Sequence, residues 1–403
     1  MMQFPNSFWE FIDTNRNVDP SALRLKYHGK PNPDFDIDFA ILQIECRKKY
    51  GKKLADTLAR FPRFIFPTSL SGEQATSDLL AADHASLLPE GIAVADLTAG
   101  LGIDALHLSA KCSALTAVEI DELKADALAY NTQGTGISVV CDDCQHWIAK
   151  AAENGERYDV LFIDPARRAT DGKRIFALSE CQPDVTAMLP TMRNVSKALM
   201  VKASPMLDIT HTASELPGTT RIIALGAVTE CKELDAIVNL EADCGEYAIE
   251  ATTLTKDGAS TFAFTPSQER NAAATYAMPQ EGGYIYEAYP AVMKAAPFNL
   301  LSQQFEIGKL HPNTHLYASS TLSERQQEFP GQIWRIERVL PYESKHIKRL
   351  AKEYPQMQVA TRNFDIQADA LRKKLGIKDG GQLRLFAATA YPNKKIMIVA
   401  SPL

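Results

Sequence analysis

The stretch that decides the fold is Val94-Ala-Asp-Leu-Thr-Ala-Gly-Leu-Gly-Ile-Asp104. Its apolar start predicts a β-strand that ends at Asp96. Gly100 and Gly102 predict a tight turn in which a ligand can approach bare backbone. Helical apolar spacing begins at Ile103. This order places the N–H groups of a helix start at the carboxyl end of a buried strand, where open parallel sheets bind their ligands.

Strands and helices alternate regularly on both sides of this turn. Strands are predicted at 92–97, 114–120, 137–140, 158–163, 198–203 and 221–225, and a hairpin joins 247–254 to 261–264. Helices between the strands require right-handed crossovers and a parallel sheet that is covered on both faces. The sequence therefore predicts an α/β fold with a Rossmann-like, doubly wound sheet.

The length of 403 residues predicts several domains. We expect an N-terminal helical domain at 1–85, the doubly wound domain at 86–245, a mixed β-rich connecting domain at 246–330 and a small α+β module at 331–403. Hydrophobic content of 45% and charged content of 23% are typical of soluble globular proteins. No apolar run approaches the ~20 residues of a membrane span, and no signal peptide is visible. A cytoplasmic protein without a membrane partner is the expectation.

Charge is distributed unevenly along the chain. The net charge is −6, yet residues 331–403 carry +8, which leaves −14 for the remainder. A basic module on an acidic body favours contact with phosphate groups, although a solvated basic surface explains the count equally well. The candidate phosphate contacts in this module are Arg372, Lys373, Lys374, Lys378, Arg384, Lys394 and Lys395.

The motifs resemble those of one enzyme family. Asp96 to Asp104 resembles motif I of the class I S-adenosylmethionine-dependent methyltransferases, and Asp164-Pro-Ala-Arg167 is similar to a turn of RNA-modifying enzymes. The whole layout resembles methyltransferases with a THUMP-like C-terminal domain. The resemblance implies a seven-stranded methyltransferase sheet at 86–245, a ferredoxin-like region at 246–330 and a THUMP-like domain at 331–403. It also implies S-adenosyl-L-methionine as the cofactor and tRNA or rRNA as the partner.

Acidic residues at successive strand ends supply the remaining cofactor contacts that we expect. Glu119, with Asp121 as its competitor, is expected to accept both ribose hydroxyls. Asp142 or Asp143 is expected to accept from the adenine amine, although any of these acids could instead cap a helix. The cofactor-binding set is Asp96, Thr98, Ala99, Gly100, Gly102, Glu119, Asp121, Asp142, Asp143 and Asp164. Thr98 has a second interpretation, as a hydroxyl that satisfies the turn.

Asp164 is the residue that we expect nearest the reacting centre, where it could accept a proton or a hydrogen bond from the attacking atom. Arg167 and Arg168 would hold a substrate phosphate, or else form surface ion pairs. Ala166 and Arg167 replace the second proline and the aromatic residue of enzymes that methylate exocyclic amines, which puts such a target in doubt. Cys181 has no activating base in the sequence around it, so direct methyl transfer is favoured over covalent catalysis.

Two competing functions remain open at this point. A methyltransferase fold could serve as a non-catalytic RNA-binding or assembly protein, or the enzyme could act on a protein or a small molecule. Cys141 and Cys144 form a lone C-x-x-C pair, and no second pair is present to complete a zinc site. We therefore expect free thiols and no metal.

Overall fold

The computed structural model describes residues 2–167, 177–243, 245–256 and 258–403. They form two compact units: the first holds residues 1–219 and 236–244, and the second holds residues 220–235 and 245–403. Among the described residues, no helix combines the length and the apolar character that a membrane crossing requires.

The helices, with the bounds that the structure gives them, are α1 (Asn6–Asn15), α2 (Pro20–Tyr27), α3 (Ile37–Tyr50), α4 (Ala55–Arg60), α5 (Ser69–Gln74), α6 (Asp78–Ser86), α7 (Ile103–Leu108), α8 (Glu122–Asn131), α9 (Cys144–Glu153), α10 (Val185–Met192), α11 (Ile209–Glu215), α12 (Pro266–Asn271), α13 (Pro290–Ala295), α14 (Phe298–Phe305), α15 (Glu324–Gln327), α16 (Ser344–Glu353) and α17 (Ala368–Leu375). The strands are β1 (Ala93–Asp96), β2 (Ala114–Glu119), β3 (Ile137–Cys141), β4 (Tyr158–Ile163), β5 (Ala166–Arg167), β6 (Cys181–Gln182), β7 (Ser196–Ala203), β8 (Thr219–Ala227), β9 (Cys231–Asn239), β10 (Ala248–Thr255), β11 (Gly258–Phe264), β12 (Tyr284–Ala288), β13 (Gly308–His311), β14 (Thr314–Ser319), β15 (Gly331–Pro341), β16 (Gln358–Arg362), β17 (Arg384–Ala390) and β18 (Lys394–Pro402).

The first unit is built on parallel strands. β1 pairs with β2 and with β4, β2 pairs with β3, and β4 pairs with β7, all in parallel. Each of these strands is followed by a helix, so their carboxyl ends meet at one edge of the sheet. The six strands predicted from the sequence are confirmed as β1, β2, β3, β4, β7 and β8, and no strand end differs by more than two residues.

The sheet that contains β1 has nine strands within the described residues, in the order β11-β10-β8-β9-β7-β4-β1-β2-β3. The predicted seven strands are present in this order, and β10 and β11 add to them. β10 runs parallel to β8 and antiparallel to β11, which confirms the predicted hairpin. The doubly wound α/β fold is therefore confirmed, and the hairpin extends it.

The N-terminal helices belong to the first unit and pack against its α/β part. Phe8, Trp9 and Ile41 share an apolar cluster with Ala127 of α8. Asn131, at the end of α8, accepts a hydrogen bond from the Ile65 N–H at 2.7 Å and donates one to the Ile65 carbonyl at 3.0 Å. The predicted domain boundary at residue 85 remains a prediction, but these contacts place the helices on the same core.

The second unit contains a seven-stranded sheet in the order β13-β14-β12-β15-β18-β17-β16. One apolar cluster includes Leu350 of α16 and Leu371 of α17, and a second includes Trp334 and Phe386. The edge strand β13 contacts the turn after β17, where the Tyr391 N–H donates to the Leu310 carbonyl at 2.6 Å. Strands from the predicted ranges 246–330 and 331–403 thus share one sheet, and the boundary between those ranges remains a prediction.

Replacing Gly102 with alanine should destabilise the first unit more than the same change at Gly134. Both glycines have positive φ, 85° and 76°, which costs an alanine about 1–2 kcal/mol. At Gly102 the added Cβ would lie 2.2 Å from Leu128 Cδ1, whereas at Gly134 it meets nothing within 4 Å. We expect Gly102→Ala to cost a further ~1–3 kcal/mol through overpacking, as measured by urea unfolding. Equal losses at the two positions would contradict this account.

Candidate active site

The turn after β1 lies between the ends of two neighbouring strands. The Leu97 N–H donates to the Phe162 carbonyl, and the Ala99 N–H donates to the Val118 carbonyl, both at 2.9 Å. Gly100 takes a φ of 54°, and a Cβ built there would meet no atom closer than 3.9 Å. The turn therefore presents uncovered backbone at the carboxyl edge of the sheet, as its two glycines predicted.

Glu119, which ends β2, faces this turn. Its Oε2 accepts the Gly100 N–H at 2.8 Å, and its Oε1 accepts the Asp121 N–H at 2.9 Å. The residue is only 7% exposed, so its direction is fixed by these two bonds. An ionised carboxylate offers about four acceptor sites, so Glu119 can hold the turn and still accept from hydroxyl groups.

The other acidic residues at this edge start helices. Asp121 caps α8 by accepting the Lys124 N–H at 3.0 Å, and Asp143 caps α9 by accepting the Gln145 N–H at 2.8 Å. Asp142 lies 2.8 Å from His146 Nδ1, and this hydrogen bond lowers the pKa of the Asp142 carboxyl. Asp121 and Asp143 therefore have the helix-capping role that was the second interpretation of these acidic residues. Their cofactor-binding roles, and that of Asp142, remain predictions.

Asp164 follows β4 and is tied to the same turn. Its N–H donates to Thr98 Oγ1 at 2.7 Å, so the Thr98 hydroxyl does satisfy the turn. Its carboxylate Oδ2 accepts from the Lys202 ammonium at 2.6 Å, and the Asp164 side chain is 40% exposed. Opposite charges at this distance hold the carboxylate in one orientation while part of it faces solvent.

Lys202 is a residue that the sequence interpretation missed. It lies in β7, is buried, and donates to Thr76 Oγ1 at 2.8 Å as well as to Asp164. Asp104 of α7 accepts from the Thr76 hydroxyl and lies 2.7 Å from His84 Nδ1. A charged residue inside the apolar run 198–203 is the feature of the sequence that could have identified it, because lysine is almost never buried without partners.

The pKa values of the two carboxyls behind the turn are shifted in opposite directions. Burial would raise the pKa of Asp104, but the charges of Lys202 and His84 and the hydrogen bonds to it lower that pKa below its ordinary value. Burial and the nearby Asp104 raise the pKa of Asp96, which ends β1 and accepts the Thr98 N–H at 3.1 Å. Asp104 and Asp164 are therefore the anions that compensate Lys202, whereas Asp96 is the carboxyl whose pKa is raised.

Arg167, Arg168 and Cys181 are the remaining residues that the sequence interpretation considered for this site. The backbone of Arg167 forms β5 with Ala166, and Arg168 lies outside the described residues. Cys181 is buried, and its thiol lies 3.7 Å from the Ala177 carbonyl. A cavity of about 380 Å³ is found at the amino ends of β4 and β7, where Tyr158 and Lys197 line it. This cavity is at the opposite edge of the sheet from the predicted site.

The basic residues expected to bind RNA belong to the second unit, and most are exposed. The exposed ones are Lys373, Lys374, Lys378, Lys394 and Lys395. Arg372 is half-buried and lies 3.6 Å from Asp369. Arg384 is half-buried as well and pairs with Glu287 at 3.0 Å. Contact between these basic residues and RNA remains a prediction.

Comparisons with known proteins agree with this architecture. Residues 331–402 match the profile of a THUMP domain-like family, and residues 284–330 match that of a ferredoxin-like domain. The chain is similar to the crystal structure of a candidate methyltransferase from Porphyromonas gingivalis W83, with 26% identity, a TM-score of 0.88, and 100% of each chain covered. No curated protein matches. The chain has the class I methyltransferase fold with a THUMP-like C-terminal region.

Two further matches cover only part of the chain. A SAM-dependent methyltransferase from Agrobacterium tumefaciens is 18% identical over 32% of this chain and 43% of its own, with a TM-score of 0.25. A candidate RNA methyltransferase from Pyrococcus horikoshii is 20% identical over 34% of this chain and 57% of its own, with a TM-score of 0.23. These alignments are too partial to support an argument about function.

Replacing Asp104 with asparagine should destabilise the protein strongly at neutral pH. The change removes the carboxylate that pairs with His84 and one of the two that compensate Lys202, and loss of one partner of a buried pair costs about 3–5 kcal/mol. Because the folded-state pKa of Asp104 is lowered, its contribution is present above pH ~4 and is lost as the pH falls below that value. Urea unfolding at pH 7 and at lower pH measures both effects.

The matched control is Glu73→Gln, which removes an exposed pair with Lys49 at 3.3 Å. Exposed pairs contribute less than about 1 kcal/mol, so this variant should unfold almost as the wild type does. If Asp104→Asn were no more damaging than Glu73→Gln, the buried network would not stabilise the first unit.

Proposed function

We propose that this protein is an S-adenosylmethionine-dependent methyltransferase that acts on RNA by direct methyl transfer. The observation that carries the proposal is the turn at Gly100, which is hydrogen-bonded on one side to Glu119 of β2 and linked on the other to Asp164 after β4. In a doubly wound sheet, this edge is where ligands bind. The full-length similarity to the Porphyromonas gingivalis protein supports the methyltransferase assignment.

The residues at the turn fit a sulfonium nucleoside. The uncovered backbone at Gly100 admits close approach of a ligand, and Glu119 would accept hydrogen bonds from the ribose hydroxyls. The acidic residues at this edge also suit the positive charge of the cofactor. When bound, S-adenosylmethionine supplies an activated methyl group, so the protein mainly has to position the acceptor.

Asp164 would orient the attacking atom of the target nucleotide. Its half-exposed carboxylate can accept a hydrogen bond or a proton from an attacking nitrogen or oxygen. Lys202 holds that carboxylate in place from the buried side at 2.6 Å and would act as a positioning residue. Arg167 and Arg168 would contact the phosphate of the target nucleotide, as the sequence predicted.

An RNA substrate is supported by the second unit. The THUMP domain-like match at 331–402 coincides with the segment of net charge +8, and its lysines are largely exposed. Exposed cations attract the phosphate backbone without reading its sequence. We propose tRNA or rRNA as the substrate class and the cytoplasm as the place of the reaction.

Replacing Glu119 with glutamine should weaken cofactor binding. Both carboxylate oxygens accept backbone N–H groups, so the amide nitrogen of glutamine must face one donor and lose that bond. We expect S-adenosylhomocysteine to stabilise the wild type against heat and the variant much less, which corresponds to roughly a tenfold loss of affinity. Glu122→Gln, which removes an exposed carboxylate in the first turn of α8, is the control. An unshifted wild-type melting temperature at millimolar ligand would overturn the cofactor assignment.

Replacing Asp164 with asparagine should separate catalysis from RNA binding. The amide keeps the shape but loses the charge, so methyl transfer to bulk tRNA or rRNA should fall about 10²–10⁴-fold. Filter binding of the same RNA should be unchanged and should weaken steeply between roughly 50 and 200 mM salt. Asp34→Asn, at an exposed position of the first unit, is the control. Methyl transfer that survived in Asp164→Asn would contradict the catalytic role.

A further inference from the structure

Two tyrosines of the second unit stack on each other at the protein surface. The rings of Tyr276 and Tyr391 have centroids 5.4 Å apart and planes inclined by 22°. Tyr276 is 47% exposed and Tyr391 is 56% exposed, and among the described residues they are the only exposed aromatic side chains. We call this pair the tyrosine platform. Exposed aromatic area that is kept together in one place indicates a binding surface.

The platform is held rigidly by the backbone of β13. The Ala277 N–H donates to the Lys309 carbonyl at 3.0 Å, which fixes the segment that carries Tyr276. The Tyr391 N–H donates to the Leu310 carbonyl at 2.6 Å, which fixes the turn between β17 and β18. Neighbouring carbonyls of β13 thus hold the backbone segments that carry the two tyrosines. Preorganised rings lose little entropy when a flat ligand stacks on them.

Polar and positively charged groups adjoin the platform. Asn313 donates its N–H to His311 Nδ1 at 3.1 Å, and His311 Nε2 lies 3.2 Å from Asn393 Oδ1. The Asn393 amide is thereby oriented two residues after Tyr391. Lys394 and Lys395 begin β18 and are both exposed, and Lys395 pairs with Asp365. Tyr391, an oriented amide and two cations therefore lie within five residues of the chain.

We propose that the tyrosine platform binds single-stranded RNA by base stacking. Every nucleobase has a flat face that stacks on an aromatic ring, and an exposed lysine attracts the adjoining phosphate. The segment 331–403, which contains Tyr391, carries a charge of +8 and so favours a polyanion over an acidic or neutral protein surface. This inference deepens the proposed function, on which the choice of RNA as the polyanion rests.

The platform assigns to the second unit a task that its lysines alone do not perform. Phosphate contacts hold single and double strands alike, whereas stacking requires unpaired bases. The RNA that this unit recognises should therefore present an unpaired segment, such as a loop or an end. Recognition by stacking tolerates different sequences, since every base offers a face.

The test measures binding of a fluorescein-labelled oligouridylate, roughly twelve nucleotides long, by anisotropy at about 50 mM salt. The full-length proteins are the wild type, Tyr391→Ala, Tyr276→Ala and Tyr391→Phe. Leu403→Ala is the control, since it removes another exposed apolar side chain of the same unit. We expect each alanine variant at the platform to bind about tenfold more weakly, and the phenylalanine variant and the control to stay within about twofold. Melting curves with and without S-adenosylhomocysteine accompany each protein.

The outcomes separate this inference from the proposed function. If the wild type binds RNA and the alanine variants bind equally well, the platform is overturned and an RNA substrate stands. If the wild type binds no RNA, the platform is overturned as well, and the response to S-adenosylhomocysteine decides whether the methyltransferase assignment survives. Sedimentation of the same samples adds one further outcome: a dimer that becomes a monomer in Tyr391→Ala would make the platform a self-association surface and overturn RNA binding.

Discussion

The candidate site depends on how one six-residue turn is held between two strands. Gly100 donates its N–H to Glu119, and the Thr98 hydroxyl receives the N–H of Asp164, so β2 and β4 are both fastened to the segment that follows β1. Gly100 and Gly102 take positive φ in this turn, a backbone conformation that favours glycine. The turn is thus constrained from two sides, while its backbone at Gly100 stays half-exposed. A loop held in this way can present a ligand site without moving when the ligand arrives.

Lys202 extends the same site into the protein interior. Its ammonium contacts Asp164 at the surface and Thr76 behind it, and Thr76 in turn donates to Asp104. Thr76 lies between α5 and α6, so the N-terminal helical region contributes directly to the surroundings of Asp164. Burying a cation is unfavourable unless charge and hydrogen bonds compensate it, and the two carboxylates supply that compensation. The helices before residue 85 are therefore part of the site rather than a separate accessory.

The sequence was sufficient to predict the parts of the fold that depend on local pattern. Strand periodicity located β1 to β4, and the glycine spacing located the turn at Gly100, because both arise from neighbouring residues. The partners of Lys202 could not be predicted, since Thr76 and Asp164 reach it from distant points of the chain and only the packed sheet brings them together. The ion pair of Arg384 with Glu287 could not be predicted for the same reason, because a charge count does not reveal which residues lie opposite each other. The cofactor roles of the acidic residues remain predictions, and two of those residues also cap helices.

The order of strands in the second unit constrains how that unit can be synthesised and folded. β18, the last strand in sequence order, lies between β15 and β17 at the interior of the sheet, where Arg335 pairs with Ser401. β15 consequently has no neighbour on one side until the ribosome has added β18. The pairing of these two strands must also bring together parts of the chain that α16, β16, α17 and β17 separate. Closing long loops slows folding and leaves unpaired edges open to aggregation in the meantime. Nascent chains of this protein should therefore need protection late in translation, and shortening the chain within β18 would remove an internal strand instead of a dispensable tail.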